Sequence, residues 1–127
     1  MKTRILFVDD DTLVLQGLQR MLREMRNSWE MEFVESGRQA LDRMTAAPFD
    51  VVVADMRMPG MNGAQLALEA RRLMPHLPIL LATGYAEMPK GANIELPRLG
   101  KPYSQNELAR EISRLLQGGR APSAASA

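Results

Sequence analysis

Short apolar runs, each followed by a turn and a helical stretch, dominate the hydrophobic pattern of the chain. The residues from Val51 to Val53 are apolar and β-branched on both faces, which is typical of a buried central strand in a parallel sheet. Polar and apolar residues alternate between Glu30 and Glu35, which predicts a half-buried strand nearer the sheet edge. Together with three further apolar runs, the pattern predicts five strands, at residues 5–8, 30–35, 51–53, 78–82 and 96–100.

Helical periodicity fills the intervals between these strands. Ser36 and Ser104 each begin the Ser-x-x-Gln or Ser-x-x-Glu pattern of a capping box, and Asn62 is the predicted N-cap of the helix that follows the central strand. The predicted inward-facing residues are Val14, Leu18, Met21, Leu22 and Met25 in the first helix, Ala40, Leu41 and Met44 in the second, Leu66, Ala67, Ala70, Leu73 and Met74 in the next, and Leu108, Ile112, Leu115 and Leu116 in the last.

Two parts of the chain depart from this regular alternation. Residues 85–96 have few apolar side chains, no helical period and several Pro and Gly residues nearby, which predicts a short or irregular helix. Gly118 and Gly119 are expected to end the last helix, and the Ala-, Ser- and Pro-rich residues after them are expected to be disordered. The predicted organisation is therefore one domain over residues 1–117 and a disordered tail over residues 118–127.

Composition excludes several classes of function. The chain has 127 residues, which suggests a single domain, and a net charge of +1, which gives no strong electrostatic case for nucleic acid or a membrane surface. It has no cysteine and a single histidine, His76, so thiol chemistry and most zinc sites are excluded. No apolar run approaches the ~20 residues of a membrane-spanning helix. The first strand begins too early to leave room for a signal peptide, so the cytoplasm is the expected location.

Chemically useful side chains stand where the predicted strands end. Asp9 and Asp10 follow the first strand, Asp55 follows the central strand, Thr83 follows the fourth and Lys101 follows the fifth. The carboxyl ends of strands in a parallel sheet meet at one edge, where ligands bind, so we expect these five residues to lie together.

A cluster of carboxylates is unfavourable without a cation, because like charges at close range raise one another's pKa. Oxygen ligands suit a hard ion such as Mg²⁺, which typically takes one or two carboxylates. Asp11 has a simpler interpretation, because an Asp just before a helical stretch is a common N-cap.

This constellation resembles the receiver domain of two-component response regulators, over residues 2–117. The resemblance implies a flavodoxin-like (βα)5 fold, a three-layer α/β sandwich whose five-stranded parallel sheet has the order 2-1-3-4-5. It also implies a phosphoacceptor signalling domain that catalyses only its own phosphorylation and dephosphorylation. The implied partner is a sensor histidine kinase or a histidine phosphotransfer domain, with no nucleic acid or membrane bound, and the chain is either free-standing or part of a hybrid kinase. A monomer or a weak, phosphorylation-dependent dimer is expected.

If the roles of the family's residues are transferred position by position, the resemblance implies that Asp55 is the phosphoacceptor. It implies that Mg²⁺ is held by Asp10, Asp55 and the backbone carbonyl of Arg57, with Asp9 behind them. Thr83 and Lys101 would contact the phosphoryl group, and in this family the bond between the lysine and the following proline, here Pro102, is cis.

The sequence departs from the usual receiver pattern at the switch residues. Arg98 occupies the position where most receivers have Tyr or Phe, and Tyr85 lies two residues after Thr83 instead. This pattern and the irregular segment resemble a receiver subgroup with an FATGY-type motif. Arg57 and Tyr85 lie where receivers tune self-dephosphorylation. We predict that residues 85–96 are locally unstable before phosphorylation and become partly ordered on phosphorylation or on binding of a partner.

Two other functions remain as alternatives. Mg²⁺-dependent phosphohydrolases also use an Asp nucleophile on a doubly wound sheet, but they need a second catalytic Asp two residues later, where this chain has Arg57. A pseudo-receiver that acts only as an interaction module would be expected to lack one of the acidic, Thr or Lys residues, and none is missing.

Overall fold

The computed structural model of the chain describes residues 2–83, 97–101 and 103–126, with the side chains of the last helix described as far as residue 117. The predictions about the irregular segment, Tyr85 and Pro102 lie outside these residues.

Five parallel strands form one sheet in the order β2-β1-β3-β4-β5, as predicted. Each neighbouring pair is parallel, so the carboxyl ends of all five strands lie at the same edge of the sheet. The strands are β1 (Thr3–Val8), β2 (Trp29–Val34), β3 (Val51–Asp55), β4 (Ile79–Thr83) and β5 (Arg98–Gly100).

Four α-helices are present in the described residues, and a short 3-10 helix, Arg23–Asn27, follows the first of them. No helix of this part of the chain is long and apolar enough to cross a membrane. The α-helices are α1 (Thr12–Met21), α2 (Gly37–Ala46), α3 (Gly63–Leu73) and α4 (Gln105–Ser126).

Local hydrogen bonds fix the start of the helices that flank the site. At α3, Asn62 Oδ1 accepts from the Gln65 backbone N–H at 2.8 Å, and Gln65 Oε1 accepts from the Asn62 N–H at 2.9 Å. Ser104 and Glu107 form the same reciprocal pair at α4, which confirms the predicted capping box.

Only one of the two hydrogen bonds of the capping box predicted at α2 forms as expected. Ser36 Oγ accepts from the Gln39 N–H at 3.1 Å, but the Gln39 side chain reaches back to the N–H of Glu35 rather than to that of Ser36. The second arm of the box is therefore displaced by one residue and satisfies the backbone just outside the helix.

Two apolar cores lie on opposite faces of the sheet, as in a three-layer sandwich. β3 is buried along its whole length because α2 and α3 cover one face and α1 and α4 cover the other. The largest fully buried side chains, each contributing roughly 1.5–3 kcal/mol of transfer free energy, include Phe7, Ile5, Leu6, Leu22, Leu66, Leu80, Leu81, Leu108 and Ile112.

The predicted inward faces of two helices need correction. Val14 is 38% exposed, and Leu15 is buried instead, because Leu15 shares one helix face with Leu18 and Leu22, at spacings of three and seven residues, and that face packs against the core. Leu73 is 55% exposed at the last position of α3. A helix end carries fewer neighbours, so apolar residues there need not be covered.

The last helix is longer than predicted. The sequence favours an end at Gly118 and Gly119, but α4 continues through them to Ser126. Three alanines in this extension favour the helical backbone, whereas Gly118, Gly119 and Pro122 disfavour it more strongly, so helix propensity does not account for the extension. The division into a domain over residues 1–117 and a separate tail stays a prediction.

Candidate functional site

The carboxyl edge of the sheet holds the residues that the sequence singled out there. Asp55 is the last residue of β3, Asp9 follows β1, Thr83 ends β4 and Lys101 follows β5. Strand register places Asp55 beside Ala82. Asp9 and Asp55 are buried, which is rare for ionisable side chains and indicates that each one has partners, and the hydroxyl-bearing Thr83 is buried as well.

Lys101 joins the last strand to the acidic cluster. Its Nζ donates to Asp55 Oδ1 in a close contact and lies 3.9 Å from Asp9 Oδ2. Its backbone N–H donates to the carbonyl of Thr83 at 2.8 Å and so continues the β4–β5 ladder by one residue. This hydrogen bond fixes the backbone position from which the lysine side chain extends. The ammonium group therefore lies against two buried carboxylates at the end of the sheet.

Three carboxylates form the acidic cluster. Asp9, Asp10 and Asp55 can each offer one oxygen so that these atoms all lie within 4.8 Å of one another. Asp10 is exposed, whereas the other two are buried. An all-oxygen donor set with excess negative charge and one solvent-facing member fits a hard divalent cation that keeps some of its water, as Mg²⁺ does.

Electrostatics at Asp9 show that the cluster is strained without a cation. Burial is the main cause that raises the pKa of Asp9, and the charges of Asp55 and Asp10 raise it further. The hydrogen bond from the Asp11 N–H to Asp9 Oδ1, at 2.9 Å, and the charge of Lys101 oppose the rise without cancelling it. The carboxylate of Asp9 is therefore held at a free-energy cost in the folded protein.

Asp9→Asn is expected to raise the melting temperature of the metal-free protein by a few degrees at neutral pH. A carboxyl whose pKa is raised by folding destabilises the folded state when it is ionised, and this penalty disappears as the pH falls below the ordinary Asp value. The amide oxygen can still accept from the Asp11 N–H. Melting curves in a chelator across acid and neutral pH test this, and a variant that is less stable than the parent at neutral pH would contradict it.

Asp11 is a structural residue, as its sequence position predicted. Its Oδ1 accepts from the N–H groups of Leu13 at 2.9 Å and Val14 at 3.4 Å, so it is the N-cap of α1. Its own N–H orients Asp9. Asp11 therefore fixes the orientation of the Asp9 carboxylate.

A cavity of about 270 Å³ opens beside Asp55, between α1 and the start of α4. Tyr103 lines it together with Asp9, Lys101 and Gly17. Burial raises the pKa of Tyr103 to about 12, and the charges of Asp9 and Asp55 contribute. The sequence analysis missed Tyr103, although its position two residues after Lys101 was a signal that it lies near the same edge.

The turn after β3 holds the remaining predicted residues. Arg57 is exposed between the buried Met56 and Met58, so its side chain faces solvent next to Asp55. Arg98 at the start of β5 is also exposed. Tyr85 lies outside the described residues, as does the prediction of a cis bond before Pro102.

The fold and the edge of the sheet define a flavodoxin-like α/β protein with an acidic site at the carboxyl ends of its strands. The family model described as the response regulator receiver domain matches residues 5–113. The chain therefore belongs to the response regulator receiver domain family. Receiver domains are signalling domains that act with histidine kinases or phosphotransfer proteins, and magnesium binding and phosphorylation are general properties of the family.

Curated relatives differ in how much of their length the chain covers. It is 30% identical over 117 residues to the response regulator receiver protein CpdR of Brucella abortus, covering 96% of that protein and 89% of this chain. It is 35% identical over 124 residues to the response regulator MprA of Mycolicibacterium vanbaalenii, covering 92% of this chain but only 52% of that protein.

Solved structures share the fold over nearly the whole chain. A protein from Rhodopirellula baltica described as adenylate cyclase superposes with a TM-score of 0.84 at 28% identity, covering 99% of this chain and 96% of that one. A CheY-like receiver domain protein from Methanospirillum hungatei superposes with a TM-score of 0.81 at 25% identity, covering 97% of this chain and 100% of that one.

Proposed function

We propose that the chain is a phosphoacceptor receiver that takes a phosphoryl group from a phosphohistidine onto Asp55. The observation that carries this proposal is the environment of Asp55: a buried carboxylate at the end of the central strand, in contact with Lys101 and within reach of two other carboxylates. The proposed setting is the cytoplasm, and the proposed partner is a sensor histidine kinase or a histidine phosphotransfer domain. The proposed state is a monomer or a weak, phosphorylation-dependent dimer.

The chemistry assigns a separate task to each side chain. A carboxylate oxygen of Asp55 attacks the phosphorus atom, a new O–P bond forms, and the P–N bond to the donor imidazole breaks. Lys101, which contacts Asp55 in the unmodified protein, would move onto a phosphoryl oxygen and offset its charge. Thr83 lies at the adjacent strand end, where its hydroxyl would donate to another phosphoryl oxygen.

The acidic cluster would hold the cation. Asp10, Asp55 and the backbone carbonyl of Arg57 are the proposed ligands, and Asp9, oriented by the Asp11 N–H, would lie behind them. When bound, Mg²⁺ supplies positive charge that neutralises the phosphoryl oxygens. We propose that the exposed side chain of Arg57 influences how water reaches the aspartyl phosphate, and we propose the same role for Tyr85.

Intact-mass measurement with a small phosphodonor tests the function. Incubation with acetyl phosphate and Mg²⁺ should add the mass of one phosphoryl group, and peptide mapping should place it on the peptide that contains Asp55. Incubation with a chelator in place of Mg²⁺ should leave the mass unchanged. Modification on another peptide, or no modification beside a known receiver that is labelled in parallel, would refute the assignment.

Mg²⁺ is expected to raise the melting temperature of the unphosphorylated protein. A ligand that binds only the folded state stabilises it by mass action, and here it also relieves repulsion within the acidic cluster. Asp10→Ala should lose this response, whereas Asp42→Ala, which removes an exposed carboxylate on α2, should keep it. Equal Mg²⁺ responses in the two variants would show that the cation binds elsewhere.

A further inference from the structure

A second concave surface lies between α1 and the edge strand β2, and it shares no lining residue with the cavity beside Asp55. This cleft has a volume of about 710 Å³. Its apolar floor is formed by Trp29, Met31 and Phe33, whose side chains belong to the same core as α1. It runs along β2 from Trp29, which is paired with Thr3, to Phe33, which is paired with Phe7.

The rim of this cleft is strongly basic. Four cationic side chains and one carboxylate, that of Glu30, line it, although the whole chain has nearly equal numbers of the two signs. Among the described residues, none of the four cations forms an ion pair with a carboxylate, while Glu30 lies 3.8 Å from Arg4. The cations are Lys2, Arg20, Arg23 and Arg26.

The backbone of β2 offers hydrogen bonds to the same cleft. Thr3 N–H donates to the carbonyl of Ser28, and Asp9 N–H donates to that of Val34, so the even-numbered residues of β2 direct their carbonyls towards β1. Backbone groups alternate in direction along a strand, so those of Trp29, Met31 and Phe33 point away from β1. In the described part of the chain β2 pairs only with β1, which leaves this edge open to another strand.

We propose that this cleft binds an extended acidic segment of a partner protein, which adds to the sheet beside β2. Backbone pairing at an exposed sheet edge gives affinity, and alternate side chains of the added strand give specificity. Apolar residues of the segment cover the floor of Trp29, Met31 and Phe33. Its carboxylates face Arg20, Arg23 and Arg26, and this charge complementarity selects an acidic partner.

A synthetic peptide that carries valine and glutamate in turn on one face of the strand, with threonine at every position between them, is the probe for this site, because successive side chains of a strand point to opposite faces. Trp29 is the only tryptophan of the chain, so its fluorescence reports on the cleft directly. Binding should change this fluorescence, shift the amide resonances of Met31 and Phe33, and weaken as salt is added, because the rim charges are exposed. A peptide with proline at two adjacent central positions should bind at least about tenfold more weakly, since adjacent N–H groups point to opposite edges of a strand and one of the two is therefore lost from the pairing with β2.

Charge reversal separates the cleft from general attraction between opposite charges. The double variant Arg23→Glu with Arg26→Glu should weaken binding by about tenfold or more. The matched control, Arg38→Glu with Arg110→Glu, changes the net charge equally at exposed positions of α2 and α4 and should bind like the parent. Both variants should still incorporate phosphate at Asp55, which separates this proposal from the proposed function.

Three results would overturn the proposal. The first is equal weakening by the two double variants, and the second is equal binding of the peptide with proline. The third is competition for the Trp29 signal by a single-stranded oligonucleotide that binds more tightly than the acidic peptide, which would assign the cleft to nucleic acid. If the double variant in the cleft is misfolded by circular dichroism, the single change Arg26→Gln should still weaken binding, and unchanged binding would count against the cleft.

Discussion

Asp55→Asn is expected to reduce phosphoryl incorporation from acetyl phosphate to background while leaving the protein folded. The amide cannot attack phosphorus as a carboxylate does, and no other carboxylate in the described residues combines the end of the central strand with contact to Lys101. The fold should survive, because Asn has nearly the same shape and removes one charge from a crowded acidic cluster. Intact mass gives the incorporation, and circular dichroism gives the fold.

Asp42→Asn provides the matched control for this variant. Asp42 is an exposed carboxylate on α2, and its backbone carbonyl, which accepts from Thr45, is unaffected by the change. The control should be labelled to the same extent as the parent protein. Labelling of Asp55→Asn at the parental rate would remove Asp55 from its proposed role and would direct attention to Asp9 or Asp10.

The site could be predicted from sequence because its residues follow strands that apolar patterns mark clearly. β3 is apolar on both faces, so its position in the middle of a parallel sheet and the burial of Asp55 at its end both follow from the pattern. The capping residues Asn62 and Ser104 could also be predicted from the sequence, since their hydrogen-bond partners lie only three residues away. Local signals of this kind require no knowledge of tertiary contacts.

Features that depend on the packing of separate elements could not be predicted in the same way. The exchange of Val14 for Leu15 on the inward face of α1 depends on how the helix is rotated against the sheet. Tyr103 reaches the acidic cluster only because α4 begins beside the ends of β1 and β3. Tyr103, Asp9 and Asp55 belong to three segments that are distant in sequence. No periodicity of the sequence therefore indicates that Tyr103 lies at the site.

Gly63 is another position whose role depends on the packing of separate elements. Gly63→Ala is expected to destabilise the fold by about 3 kcal/mol. A Cβ atom there would lie 2.5 Å from the backbone carbonyl oxygen of Asp55, 2.9 Å from Leu81 Cδ2 and 3.0 Å from the Cα atom of Met56. Two of these neighbours are backbone atoms, so side-chain rotation cannot relieve the contact. The first turn of α3 would have to move away from the end of β3.

Gly17→Ala is the control for Gly63→Ala, because the same chemical change meets no atom within 4 Å. Gly17 lies inside α1, where alanine is favoured over glycine by roughly 0.5–1 kcal/mol, so the control should stabilise the protein. Urea unfolding curves of the two variants measure both effects. The close approach of Gly63 to the Asp55 carbonyl adds a second readout, since a displaced β3 end should also slow phosphorylation at Asp55. A Gly63→Ala protein with parental stability and parental labelling would show that the start of α3 can move without disturbing the site.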